Sequence, residues 1–161
     1  MSAAIIGYVN LIQKTELAAL QNAVRQITSF GFEFSAEFEL YNYPEYLLRR
    51  KDIIQFQISD SADSNTAGIL LEPEDYDPDD NLESEFQKKF PSLLKDRILE
   101  ITKIIRYIVS SGLVKELGFS ISFCDEIGYI KECTQDTFEM IVLSDCLANC
   151  PPNTLYIIKL D

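Results

Sequence analysis

The stretch from Pro91 to Cys124, PSLLKDRILEITKIIRYIVSSGLVKELGFSISFC, constrains the fold more than any other part of the chain. Leu94, Ile98, Ile101, Ile105 and Ile108 recur at steps of four and three, the spacing that lines one face of an α-helix. Pro91 suits a first helical turn, where its missing N–H is not needed, and Gly112 suits the position just past a helix end. Phe119, Ile121 and Phe123 then alternate with Ser120 and Ser122, the period of a half-buried strand. A helix, a stop and a strand in direct succession demand a packed core, but they name no activity.

The rest of the chain supplies partners for that unit. Residues 3–12, AAIIGYVNLI, are apolar on both faces and read as a central strand. Thr15 is placed to cap a following helix whose buried stripe is Leu17, Leu20, Val24 and Ile27, with Gly31 ending it. From Phe32 to Leu40, Phe32, Phe34, Ala36, Phe38 and Leu40 alternate with Glu33, Ser35, Glu37 and Glu39, predicting a strand with one apolar and one acidic face. Ile54, Phe56 and Ile58 alternate with Gln55 and Gln57 in the same way. SDSADSN at 59–65 is a loop by composition, and 66–71 a further strand closing a hairpin. Residues 72–85 hold eight acidic side chains, two prolines and no base, which predicts a solvated acidic loop. A short helix over 82–89 would lead to a break at Pro91. Further strands are expected at 127–131, 137–143 and 155–160, with one helical turn at Ser144-Asp145. The order predicts a single α+β domain over 1–161. Its mainly antiparallel sheet would carry two principal helices, about 16–30 and 91–111, on one face.

Composition narrows the chemistry. There is no His, which removes Ser-His-Asp and Cys-His catalysis, HExxH zinc sites and histidine proton shuttles. The six glycines lie at least six positions apart, so neither a P-loop nor a GxGxxG fingerprint is present. No nucleophile–base set stands out, and the expectation is no catalytic residue and no cofactor. Cys124, Cys133, Cys146 and Cys150 lack the short CxxC knuckles of structural zinc sites and read as reduced, buried thiols rather than metal ligands. Asp75, Asp77 and Asp79 echo the start of a calcium loop. The pattern fails where Asp80 replaces the turn glycine and Phe86 the final glutamate. No metal site is expected.

The formal charge is −12, from 26 acidic and 14 basic side chains, a balance that repels nucleic acid and anionic membranes and suits a basic protein partner. The apolar start is short and interrupted by Gly7 and Asn10, and no stretch resembles a membrane span, so a cytoplasmic location is expected. Basic residues are gathered instead at 88–115, which holds seven of the 14 and only two acids, with Lys88, Lys95, Lys103 and Arg106 on the solvent side of the long helix.

These features favour a non-catalytic acidic module that captures a basic protein, comparable in size and charge to small acidic inhibitors and immunity proteins. The contact residues expected are Glu33, Glu37 and Glu39 on the strand, Tyr41 and Tyr43 just beyond, and the loop acids Asp75, Asp77, Asp79 and Asp80. Two alternatives compete: a small-molecule-binding domain or enzyme with a pocket of Tyr, Glu and Cys side chains, and an accessory subunit of a larger assembly. The sequence does not specify an oligomeric state.

Overall fold

A computed structural model describes the backbone of residues 5–38, 40, 43–59, 80–121, 127–148 and 154–160, and the side chains of all of these except 80–94, 147 and 148. The sheet grows outward from β1 (Ile5–Leu11), which is paired along both edges: antiparallel to β3 (Ile54–Ser59) on one side and to β4 (Val114–Ser120) on the other. β2 (Gly31–Phe34) extends the sheet beyond β3, and β6 (Thr154–Lys159) beyond β4, both antiparallel. β5 (Tyr129–Cys133) closes the far edge, parallel to β6. Among the described residues the six strands lie in the order β2-β3-β1-β4-β6-β5. The protein is an α+β fold on a mostly antiparallel, mixed sheet.

Three helices cross one face: α1 (Leu17–Ile27), α3 (Asp80–Ser110) and α4 (Phe138–Ala148). Leu20 and Val24 from α1, Ile98, Ile101, Ile105 and Ile108 from α3, and Phe138, Val142 and Cys146 from α4 share one core with Val9, Phe56, Leu117 and Ile158 of the sheet. The Ile101 and Ile105 side chains have no exposed surface. Burying a side chain of this size contributes roughly 1.5–3 kcal/mol. The other face is covered at its centre by Leu40 and residues 43–53, which include α2 (Glu45–Leu48). Leu40, Tyr43 and Leu47 pack there on Tyr8, Leu155 and Ile157. This two-sided covering explains why β1 is apolar on both faces.

Among the described residues, the order β1-α1-β2-α2-β3-α3-β4 with spatial order β2-β3-β1-β4 has split β-α-β, ferredoxin-like connectivity, the short α2 aside. Added to it is the unit β5-α4-β6, whose parallel strands require a crossover helix. Connectivity of this kind hosts many unrelated functions and assigns none.

Several expectations are corrected. The long helix does not stop or restart at Pro91 but runs unbroken from Asp80 to Ser110, ending at Gly112 in the left-handed region (φ 77°). Residues 80–85 are therefore helical rather than part of an acidic loop, while 72–79, the loop 59–65 beyond Ser59 and the strand expected at 66–71 lie outside the described residues. The strand expected over 32–40 ends at Phe34. Ser35 turns the chain, its hydroxyl accepting the Glu37 N–H (3.1 Å) and its carbonyl the Phe38 N–H (3.3 Å). β4 starts at Val114, five residues before the strand expected from Phe119. Residues 137–143 are helix, not strand. Thr137 Oγ1 accepts the Thr134 N–H (3.2 Å) in the preceding turn, and Phe138, Val142 and Cys146 then fall at helical spacing on the core. No side-chain cap at Thr15 forms, because residues 14–16 make a 3-10 turn and α1 begins at Leu17.

Candidate partner-binding surface

Phe32 and Phe34 point from β2 into the helix-side core, so the intervening Glu33 projects from the opposite face, where it is exposed. Its direct neighbour on β3 is Gln57, itself paired with Ile6 on β1, and Gln55 lies one pleat away. This end of the sheet's second face is polar, in contrast to the apolar centre under Leu40 and residues 43–53. A cleft of about 360 Å³ opens beside the start of β2 and the link from α1, with Arg25, Phe30, Glu33 and Gln57 in its walls. Glu37 follows in the turn after β2 and is also exposed. Neither carboxylate has an ion-pair partner among the described residues.

Of the other residues singled out by the sequence, Tyr43 is displaced from its expected role. It is buried against Tyr8, ring centroids 6.4 Å apart and edge-on, and its hydroxyl donates to the Ile6 carbonyl oxygen. Burial pushes its pKa upward. An anchored core tyrosine cannot serve as a contact residue. Glu39, Tyr41, Asp75, Asp77 and Asp79 lie outside the described residues, and Asp80 opens α3 with its side chain likewise outside them. Of the three carboxylates expected on one strand face, Glu33 lies on the strand and Glu37 in the turn after it.

The structure assembles two charged groups that the sequence reading did not anticipate. Arg50 grips Asp52 with two parallel bonds of 2.9 Å, from Nε and Nη2, and donates from Nη1 to Glu116 on β4 (2.6 Å). Asn10 adds a bond to Asp52 (3.0 Å), and the guanidinium lies 5.7 Å from the centre of the Tyr8 ring. The bidentate Arg50 contact holds the Asp52 carboxyl below its usual range. The Tyr8 hydroxyl, fully buried beside Glu116, makes no hydrogen bond of good geometry among the described residues. Burial first and the Glu116 carboxylate second push its pKa upward. Nothing in the spacing of the sequence links Arg50 to a carboxylate 66 residues away.

The second group ties β5 to α4 and β6. Asp145 Oδ2 accepts from Lys131 Nζ (2.7 Å) and from the Tyr156 hydroxyl (2.9 Å). Cys133 and Cys146 are buried free thiols of the same unit. Burial pushes both thiols up, Cys146 to about 12, which keeps them protonated and poorly nucleophilic. Among the described residues no cluster of three or more Cys, Asp or Glu side chains is arranged to hold a metal ion, and no helix is long and apolar enough to cross a membrane.

No protein-family profile, curated protein or solved structure matches the chain.

Proposed function

We propose that the protein is a non-catalytic binding module that captures a basic protein, with Glu33 and Glu37 among its contact residues. The observation that carries this reading is that both carboxylates stand exposed and unpaired at the polar end of the sheet, in a chain of net charge −12. Most described ion pairs are internal compensations, such as Arg50 with Glu116 and Lys131 with Asp145; Glu33 and Glu37 are not spent that way. A cytoplasmic setting belongs to the same reading, since reduced buried thiols are its chemical counterpart. The pocket alternative draws less support. The cleft at Glu33 contains neither Tyr nor Cys, while Cys133, Cys146 and Tyr43 are spent in the core.

Opposite charge across an interface mainly accelerates encounter and sets specificity. With the partner recovered from native cells, association should slow as salt rises, and E33K/E37K should associate more slowly while melting like the parent. Salt-independent association, or unchanged rates in the double variant, would refute the reading.

A further inference from the structure

α3 lies between α1 and α4 in the helix layer, and its outer side is not a simple solvated face. Lys95, Leu99, Lys103, Arg106 and Ser110 follow one another at steps of four and three, a stripe roughly 22 Å long at ~1.5 Å per residue. Leu99 (44% exposed) and Tyr107 (38%) stand out of it, and Ile27 of α1 and Glu139 of α4 form the flanks of a groove of about 480 Å³ with mainly apolar walls. Single exposed apolar residues are ordinary; Leu99 and Tyr107 share one shallow recess with the half-buried Ile27, a larger apolar surface than a single residue offers. The floor makes no polar demand, because the Thr102 hydroxyl is already spent on the Leu99 carbonyl oxygen (3.1 Å).

The groove is lined by Lys103 and Arg106 against Glu139, with Lys95 about two turns before Lys103 and outside the lining, a positive balance in a chain of net charge −12. Arg106 is pinned by Glu139 and the Gln135 carbonyl (3.1 Å) and lies over the Phe138 ring, so it is a fixed wall. Lys103 has only a loose contact with Glu100 (3.6 Å), exposed enough to contribute little, and Lys95 has no partner among the described residues. A basic partner would meet these ammonium groups and be repelled.

We propose that this groove docks an acidic amphipathic helix of another protein. Its apolar residues would seat between Leu99, Tyr107 and Ile27, and its carboxylates would reach Lys95 and Lys103. Leu99 and Tyr107 lie about two turns apart on α3, a repeat that a helix laid along it can match with its own apolar side chains and an extended strand cannot. A shallow recess whose exposed apolar side chains are Leu99 and Tyr107 lacks the broad, protruding apolar face that a lipid surface takes. This site is independent of Glu33 and Glu37.

The test uses the full chain and a fluorescein-labelled synthetic helix long enough to span the groove, with Leu at steps of three and four and Glu elsewhere. Controls are the same peptide scrambled and the same pattern with Lys for Glu. The acidic amphipathic peptide should bind more tightly than either control. K95E/K103E should weaken it about tenfold while melting like the parent, and E33K/E37K should leave it unchanged. Equal binding of the scrambled peptide, or unweakened binding by K95E/K103E, overturns the proposal. So does binding of the parent to phosphatidylserine vesicles but not to the peptide, which would assign the groove to a membrane.

Discussion

The Tyr8 ring occupies the space that a side chain at Gly118 would need, because the two residues are direct neighbours across the β1–β4 ladder. The ring lies flat over the bare glycine backbone, with the Arg50 guanidinium beside it. Gly118→Ala would force the buried ring aside, and overpacking of this kind costs about 1–3 kcal/mol. The urea midpoint of the variant should fall accordingly. An unchanged midpoint would mean that Tyr8 has room to move, contrary to its complete burial.

Ile101 and Ile105 carry the centre of the helix layer. Truncating either to Ala should cost about 2–5 kcal/mol, from lost burial and the cavity left behind. Leu99→Ala, on the exposed side of the same helix, should cost far less. Comparable losses at all three positions, read by chemical denaturation, would contradict the face assignment.

Alkaline pH should destabilise the protein in two stages. Burial raises the Cys146 thiol from 9.0 to about 12, and burial also raises the Tyr8, Tyr43 and Tyr156 hydroxyls above their ordinary 10.0. Between the unfolded and folded pKa values the unfolded chain has released a proton that the folded chain keeps, so stability falls as pH rises. The loss begins near pH 9 with Cys146 and deepens above 10 with the tyrosines. Cys146→Ala should flatten the first stage and Tyr8→Phe part of the second. Urea midpoints across this range decide it, and parallel curves for parent and variants would refute the assignment.

Tyr8→Phe has a second expected outcome at neutral pH. It removes a buried hydroxyl with no hydrogen bond of good geometry among the described residues, and apolar replacement of such a group is close to neutral or stabilising. A loss above about 2 kcal/mol at neutral pH would show that the hydroxyl is satisfied in solution.

What was legible in the sequence follows from periodicity. The β1 run, the Ile54–Ile58 alternation and the isoleucine stripe of α3 all announced themselves, because each buries a face at a regular repeat. Residues 137–143 misled because a short apolar run, FEMIVL, is compatible with strand or helix. Only the parallel β5–β6 pairing, a long-range fact, requires the crossover helix. Alternation also overran β2: Ala36, Phe38 and Leu40 keep the strand period by chance, while the Ser35 hydroxyl turns the backbone. At the candidate site, exposure of Glu33 was readable from alternation, but burial of Tyr43 was not. Its partners Tyr8 and Ile6 are more than 30 residues away.

Edge protection was equally invisible and carries the last prediction. Arg25 Nε donates to the Phe32 carbonyl (2.8 Å), and Gln21 Oε1 accepts the Phe34 N–H (2.9 Å), so two α1 side chains four residues apart occupy outward backbone groups of edge strand β2. The three-residue link at 28–30 brings helix and strand together, with Thr28 tying that link to Glu100 (2.6 Å). On β5, at the far side of the sheet, Lys131 and Glu132 pair inward instead, with Asp145 of α4 and Lys159 of β6. Exposed backbone on an edge templates association with another chain. Q21A/R25A should therefore do two things at once. Stability should fall by about 1–3 kcal/mol as two hydrogen bonds, one from a charged donor, are lost. Sedimentation should reveal concentration-dependent self-association absent from the parent. A variant that loses stability yet stays monomeric at high concentration would show that Gln21 and Arg25 support β2 without guarding it.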